Sequence, residues 1–404
     1  MMIEGMNIAL LLPSVGGGGA ERVSSILSKY LTSKGYNVHF FLQNYDKKSS
    51  YQLYGSIHLI PIKKELGMGS YPKGIQDSCS LIKKSIAVKT LKKRYNIAVT
   101  ISFMEEFNYI NILSRWKDTV IIRVCTILSA REDLNQSIYY NKKLLSLLYN
   151  RADKVIVMTN YAKRDLVNNY GIQKRKITKI VNPFCRTAID EGMEKECWIF
   201  GDKTVLALGR LDKVKQLWHL IRSFSCILQD APDAELIFVG KGECEGYLKR
   251  LTRDMGLNDK VHFLGYKKNV AYYIKNSKVL VLTSKAEGYP NSMMEGLALG
   301  IPVISVDCPG APREILQPGT IYGGGLQEVE KAKYGILIPE LEEEIYQHNE
   351  PLTKGEEALS AAVVMILTDL AIYERYHNCY IKIIRQNDFE YIGEKWEELI
   401  HGKV

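Results

Sequence analysis

The residues best suited to chemistry stand in three short stretches, each between an apolar run and a helical one. In Gly209-Arg210-Leu211-Asp212-Lys213-Val214-Lys215, two cations lie five residues apart in a loop that opens a helix. A guanidinium fork and an ammonium point charge at that spacing can reach one diphosphate from two sides. In Glu287-Gly288-Tyr289-Pro290-Asn291-Ser292-Met293-Met294-Glu295, two carboxylates eight residues apart bracket a loop and the first turn of a helix. Asn291 or Ser292 is expected to cap that helix and direct its free N–H groups outward. Glu295 then projects a turn further on, where a carboxylate can accept bonds from ribose hydroxyls, and Glu287 stays in the loop where a sugar would lie. In Pro13-Ser14-Val15-Gly16-Gly17-Gly18-Gly19-Ala20-Glu21-Arg22, four consecutive glycines separate a strand from a helix. Glycine lets backbone N–H groups approach a phosphate closely, and the helix N-terminus adds positive potential. No Gly-Lys-Ser/Thr is present, so this is not a Walker loop. Taken singly, the three stretches also read as surface cations, a chance spacing and a tight turn. Their placement after strands is what gives them weight.

The elements that must position these residues form a repeating pattern. Apolar runs at 7–13, 37–43, 97–103, 119–124 and 154–158 predict strands buried on both faces of a parallel sheet. Residues 20–34 predict a helix with Val23, Ile26, Leu27, Tyr30 and Leu31 on one stripe, ended by Gly35. The pattern restarts after Asn182-Pro183, with strands expected at 204–208, 235–239, 260–264, 278–283 and 303–306. Two β-α-β-α series imply an α/β chain of two Rossmann-like, doubly wound parallel-sheet domains. In such sheets ligands bind at the carboxyl ends of strands, where all three stretches lie. A last helix is expected at 389–400.

The 404 residues, 46% of them apolar and 25% charged, fit two ordinary globular domains. The most apolar helical run, 358–367, is too short to span a bilayer and reads as a buried or amphipathic helix. Residues 1–13 have no basic leader and read as the first strand. The eight cysteines include no C-x-x-C pair and read as scattered reduced core residues of a cytoplasmic protein. Residues 1–185 carry 28 Lys and Arg against 12 Asp and Glu, a net +16, and the remainder 26 against 33, a net −7. Lys83, Lys84, Lys89, Lys92, Lys93 and Arg94 concentrate that charge. Such a cluster suits an anionic membrane surface or a lipid diphosphate, or is simply a solvated helix face. Without aromatic interleaving or a recognisable motif it does not point to nucleic acid. His39, His58, His219 and His262 fall in or beside regular elements and read as packed or surface residues. No histidine–carboxylate cluster has metal-ligand spacing, and no cofactor is implied.

In this order, the glycine loop with Ala20-Glu21-Arg22, Asn182-Pro183-Phe184, Gly209-Arg210-Leu211 with Lys215, Val239-Gly240-Lys241-Gly242-Glu243, Phe263-Leu264-Gly265-Tyr266, Glu287 to Glu295, and Pro312-Arg313-Glu314-Ile315-Leu316 resemble the retaining glycosyltransferases of family 4, which have the GT-B fold. The resemblance covers roughly residues 7–340. It implies two Rossmann-like domains facing across a cleft: an acceptor-binding domain at 1–185, a nucleotide-sugar-binding domain at 186–385, and a C-terminal helix at 386–404 crossing back to the first. It implies that Arg210 and Lys215 bind the donor diphosphate, with Glu287, as the catalytic set. Glu295 would hold the ribose, Gly17 and Gly18 would pack against diphosphate and sugar, and the backbone at Tyr266 and Lys267 would meet the base. With Asn291 and Ser292 these form the expected donor site, for a UDP-hexose or UDP-N-acetylhexosamine and with no metal. On the acceptor side the family often carries a histidine or Ser-Glu-Arg-Asn after the strand at 119–124. Here the loop reads Cys125-Thr126-Ile127-Leu128-Ser129-Ala130-Arg131-Glu132-Asp133, so Ser129, Arg131 and Glu132 are the candidates, together with Glu105, Glu106 and Asn108. A second departure, Lys215-Gln216 in place of Lys-Gly, reads as a small change. The acceptor implied is a lipid-linked or surface glycan, as in capsule or lipopolysaccharide synthesis, with the protein peripheral on the inner face of the membrane. An epimerase on the same fold, converting the donor with no acceptor, and a non-catalytic nucleotide-sugar-binding subunit are the alternatives. A phosphorylase would need a pyridoxal phosphate lysine motif, which is not seen.

Overall fold

A computed structural model describes residues 5–16, 18–46, 51–61, 73–130, 137–184, 201–267, 269–377 and 387–402. The chain divides into two units, Met1–Pro183 with Asn387–Val404, and Phe184–Gln386.

In the first unit, in chain order, come β1 (Asn7–Leu12), α1 (Gly19–Ser33), β2 (Asn37–Leu42), β3 (Ser56–Leu59), α2 (Lys73–Arg94), β4 (Val99–Phe103), α3 (Glu105–Leu113), β5 (Thr119–Arg123), α4 (Lys142–Tyr149), β6 (Lys154–Val157), α5 (Asn160–Tyr170) and β7 (Ile177–Lys179). The strands lie in the order β3-β2-β1-β4-β5-β6-β7, every pair parallel. The central strands are buried along nearly their whole length, which is why they read as continuous apolar runs. One face of the sheet packs Leu11, Phe41 and Val120 with Leu81, Val88 and Leu91 of α2. The other packs Leu10, Phe40 and Ile101 with Leu27 and Leu31 of α1.

The second unit continues with β8 (Thr204–Leu208), α6 (Leu217–Asp230), β9 (Glu235–Val239), α7 (Glu245–Asp254), β10 (Val261–Phe263), α8 (Ala271–Lys275), β11 (Val279–Leu282), α9 (Asn291–Ala298), β12 (Val303–Val306), α10 (Ala311–Leu316), β13 (Glu330–Lys331), β14 (Ile336–Ile338), α11 (Lys354–Thr368) and α12 (Leu370–His377). Its order is β10-β9-β8-β11-β12-β14-β13, parallel except for the edge pair β13–β14. Both sheets therefore reverse direction beside their first strand, at β1/β4 and at β8/β11. The last helix, α13 (Phe389–Ile400), packs Ile392, Trp396 and Leu399 on the α1 side of the first unit. A Cβ at its Gly393 would fall 2.3 Å from the Tyr30 ring, so only glycine allows that approach. The Tyr30 and Tyr36 hydroxyls both donate to Glu397, at 3.1 Å.

Each unit has a fully buried charged network. In the first, the Lys92 ammonium pairs with Asp118 at 2.8 Å and donates to Asn111 Oδ1 at 2.8 Å, with both charged side chains fully buried. Burial pushes Lys92 down to about 8 although Asp118 opposes it. Burial pulls the Asp118 carboxyl up, but Lys92 and hydrogen bonds from Trp116 and Thr100 hold it below its ordinary value. In the second, Glu356 accepts from Arg222 Nε at 2.7 Å and lies 2.8 Å from His219 Nδ1, all three buried. Arg222 also donates to the carbonyls of Gln347 and Pro351, which ties the chain before α11 to α6.

One expectation changes here. Of the five cysteines described, all free, Cys244 and Cys308 are buried, but Cys79, Cys125 and Cys226 are half-buried rather than core. Cys185, Cys197 and Cys379 lie outside the described residues. Residues 358–367 fall within α11, and among the described residues no helix is long and apolar enough to cross a membrane.

Candidate functional site

In the second unit, β8 ends at Leu208 and the chain turns at Gly209. Its N–H donates to the Val239 carbonyl at 3.0 Å. Gly240, at φ +147°, closes over it, and a Cβ there would fall 1.7 Å from the Gly209 oxygen. This backbone contact aims the following residues away from the sheet edge. Arg210 is 78% exposed and pairs with Asp212 at 3.1 Å. Asp212 caps a 3-10 turn, Lys213–Lys215, by accepting from the Lys215 N–H at 3.2 Å. The turn is stitched to the end of β11: Thr283 Oγ1 donates to the Lys215 carbonyl at 2.6 Å, and the Lys285 N–H donates to the Val214 carbonyl at 2.9 Å.

This brings Lys215 and Glu287, 72 residues apart, into an ion pair of 2.5 Å. Glu287 Oε1 also accepts from Ser284 Oγ at 2.7 Å. The Glu287 backbone bonds to Pro309 and Ala311, fixing its loop on the turn after β12. A small concavity beside the pair is lined by Gly209, Arg210, Lys215, Thr283 and Ser284. Burial, reinforced by Glu287, pushes the neighbouring Cys308 thiol well above its ordinary value. Glu295 lies on α9, 5% exposed. The expected cap is corrected: the N-cap is Pro290, and neither Asn291 nor Ser292 supplies a side-chain cap. The helix begins one residue earlier than the capping preference implies, so both residues sit in its first turn. Tyr266 is 53% exposed, and Lys267 Nζ lies 5.4 Å from the Tyr273 ring centroid.

In the first unit, Gly18 is the N-cap of α1, and no side chain caps that helix. Gly17 lies outside the described residues. Glu105, the first residue of α3, is 7% exposed and accepts from the Tyr140 hydroxyl at 3.2 Å. Asn108 is corrected from the acceptor side to the core. It is fully buried, accepts from Ser102 Oγ at 2.8 Å, and donates to the Arg123 carbonyl at 3.0 Å and to Tyr149 at 3.2 Å. Its amide is thus committed on both sides. Ser129 is half-buried on a 3-10 turn, with its N–H donating to Asp165 at 3.3 Å. Arg131 and Glu132 lie outside the described residues.

The basic cluster is also divided by the structure. Lys84 and Lys92 turn inward, onto Glu106 at 2.5 Å and onto Asp118. Lys83, Lys89, Lys93 and Arg94 stay exposed on α2, alongside Ile82 and Ile86, which are 56% and 63% exposed. Among the described residues no group of three or more His, Cys, Asp or Glu could hold a metal ion.

Sequence reasoning missed Thr283 and Ser284, although two hydroxyl residues directly after a strand are a usable signal. It also undervalued Gln216. That residue sits at φ +46°, ψ 38°, between the 3-10 turn and α6, where glycine is unstrained. Gln216 Nε2 donates to the Glu342 carbonyl at 2.8 Å, while its buried Oε1 has no hydrogen-bond partner among the described residues.

A family profile described as "Glycosyltransferase Family 4" matches residues 17–184, and one described as "Glycosyl transferases group 1" matches residues 190–332. An uncharacterized glycosyltransferase of Methanocaldococcus jannaschii is 34% identical over 265 residues, 63% of this chain and 65% of its own length. The chain thus spans just under two thirds of that relative. The N-acetylgalactosamine-N,N'-diacetylbacillosaminyl-diphospho-undecaprenol 4-alpha-N-acetylgalactosaminyltransferase of Campylobacter jejuni is 28% identical, over 76% of this chain and 82% of its own. Among solved structures, Anabaena HepE in complex with UDP and glucose superimposes with a TM-score of 0.75, at 16% identity, over 98% of this chain and 100% of that one. At that identity the likeness establishes the fold.

Proposed function

Because the chain belongs to the family 4 type of glycosyltransferases with the GT-B fold, we propose that it moves a sugar, with retention, from a UDP-hexose or UDP-N-acetylhexosamine to a hydroxyl of a membrane-linked glycan. The observation that carries this reading is the Lys215–Glu287 pair at the carboxyl edge of the β8/β11 switch point. A diphosphate carries more negative charge than one carboxylate. It would draw the Lys215 ammonium from Glu287, while Ser284 keeps Glu287 oriented towards the sugar. Arg210, exposed and lightly held, can close on the same phosphates. The N–H groups of Asn291 and Ser292, in the uncapped first turn of α9, add positive potential. Glu295 would take the ribose hydroxyls, and the backbone at Tyr266 and Lys267 the base.

Breaking the anomeric C–O bond leaves a nucleoside diphosphate with growing negative charge. Lys215 and Arg210 would stabilise that charge where it develops. The acceptor oxygen attacks from the face the diphosphate leaves and passes its proton to the departing phosphate, so configuration is retained. These cations supply the charge neutralisation with no metal in the scheme. Glu105 and Ser129, with Arg131 and Glu132, are proposed for the acceptor side.

Support for a lipid-linked acceptor comes from the Campylobacter relative, whose name specifies a diphospho-undecaprenol substrate. Support for an anionic membrane surface comes from α2, where Ile82 and Ile86 stand exposed among Lys83, Lys89, Lys93 and Arg94. A peripheral position on the inner membrane face follows from this reading. The test of transfer is UDP release from a panel of UDP-sugars with membrane-extracted glycan acceptor, with the new linkage read by proton NMR. An α-linked product from an α-linked donor is expected; a β-linked one overturns retention. Flotation with liposomes of anionic lipid is expected to carry the protein up at low salt. Equal flotation with neutral lipid at high salt contradicts the charged surface.

A further inference from the structure

Among the described residues three cations are buried to within 1% of complete: Lys92, Arg222 and Arg123. Lys92 holds Asp118 and Arg222 holds Glu356, but among the described residues Arg123 has no ion pair. It ends β5, at the carboxyl edge of the first unit's sheet. Its Nη2 donates to Asn182 Oδ1, and its Nη1 to Cys125 Sγ at 3.5 Å, a weak acceptor. Its guanidinium carbon lies 5.6 Å from the Phe103 ring centroid, and among the described residues its Nε has no hydrogen-bond partner. Keeping a charge out of water with neither a counter-charge nor a full set of acceptors is unfavourable for the fold.

The surroundings of Arg123 are those of a binding edge. β4 lies between β1 and β5, with neighbouring strands about 4.8 Å apart, so Arg123 and the glycine loop flank the end of β4 at the switch point. The residue that leaves β4 there is Met104, at φ +74° and 39% exposed. A non-glycine residue in that conformation marks a loop held under strain, which concentrates at ligand sites. Glu105, beside it, accepts from Tyr140 and forms no ion pair with Arg123. Cys125 is half-buried, and its Sγ accepts from Arg123 Nη1.

We propose that Arg123 recognises an oxyanion of the acceptor, a phosphate or carboxylate carried near the hydroxyl that is glycosylated, with the Cys125 thiol giving way to it. The proposal rests on reading the first unit as the acceptor side. An oxyanion would supply both the missing counter-charge and a strong acceptor for Nη1 and Nε. It would also weaken the positive field that favours the Cys125 thiolate.

The test is alkylation of Cys125 by iodoacetamide in the full chain, followed peptide by peptide by mass spectrometry, with Cys79 and Cys226 as internal controls. Inorganic pyrophosphate and glucuronate are titrated separately at constant ionic strength, and each titration is repeated in Lys215→Ala to exclude the donor site. Cys125 alkylation is expected to slow about threefold or more at saturating anion. The effect should persist in Lys215→Ala, vanish in Arg123→Gln, whose amide can still serve Asn182, and survive in part in Arg123→Lys. A response to pyrophosphate alone assigns a phosphate, and to glucuronate alone a carboxylate. No response to either in the native chain, or an equal response in Arg123→Gln, overturns the proposal. If Arg123→Gln does not fold, the native and Lys215→Ala titrations still decide. Nucleotide binding to the second unit is read separately, so its failure would not be mistaken for failure here.

Discussion

The two sheets are wound alike around their first strands, yet the loops at their carboxyl edges hold charge in different ways. At the second unit's switch point a cation and a carboxylate neutralise each other, Lys215 on Glu287, half-sheltered beside a small concavity. At the first unit's edge the Arg123 guanidinium stands buried with no carboxylate partner among the described residues. Deeper in each unit the pattern is the same, a fully buried ion pair or triad. Burial alone therefore does not identify a working charge. The working groups are those whose partners can be exchanged for a ligand, and the structural ones are those enclosed on every side.

The largest expected effect tests the structural class. Asp118→Ala leaves Lys92 buried and unpaired, so it should cost about 3–5 kcal/mol of stability, read as a large drop in thermal midpoint. A drop no larger than for a surface substitution would mean that Lys92 finds water and that the pair is not enclosed. Next comes the working class. Lys215→Ala should lower kcat by roughly 10²–10³ while leaving the thermal midpoint nearly unchanged. Turnover within threefold of the native chain would remove Lys215 from the mechanism.

The buried networks of the two units also respond to pH. Asp118 and Glu356 both start from burial, which raises a carboxyl pKa. In each case the partners win and the folded value lies below the ordinary one. A depressed folded pKa means stability that is full above the unfolded value, about 4, and is lost as pH falls through the folded value. Both units should therefore lose stability below about pH 4, and Asp118→Asn should flatten that limb for the first unit. An unchanged acid limb in Asp118→Asn would contradict the assignment. The smallest effect concerns Gln216→Gly. It relieves a left-handed non-glycine backbone and removes a buried unsatisfied oxygen, at the loss of one hydrogen bond to Glu342. A gain of about 1 kcal/mol in calorimetric stability is expected. A loss would show that the Glu342 bond outweighs the strain.

Much of this frame is legible in the sequence, and the exceptions have physical reasons. Strands such as β8, β9 and β12 are buried runs of Val, Ile, Leu and Phe, so composition alone marks them. The edge strands β3, β7 and β13, and β14 beside the last of these, are only two to four residues long, too short for a run to stand out. The basic cluster was a count of charges. The structure adds direction, because Lys84 and Lys92 fall on the inward stripe of α2 with Leu81, Val88 and Leu91. Asn108 and Asn291 show the same limit: an amide beside a strand end reads alike whether it meets a ligand or its own fold. Arg210, Lys215, Glu287 and Glu295 could be picked out because strands deliver them to one edge. Arg123 could not, since its missing partner is visible only in three dimensions.

The most direct test of the central claim, that the second unit holds a nucleotide-sugar, is calorimetric titration of UDP, GDP and ADP into the purified protein, with Glu295→Ala alongside. Selective UDP binding that weakens in Glu295→Ala is the predicted result. A folded protein that binds none of the three, or binds UDP equally well without the Glu295 carboxylate, would contradict it.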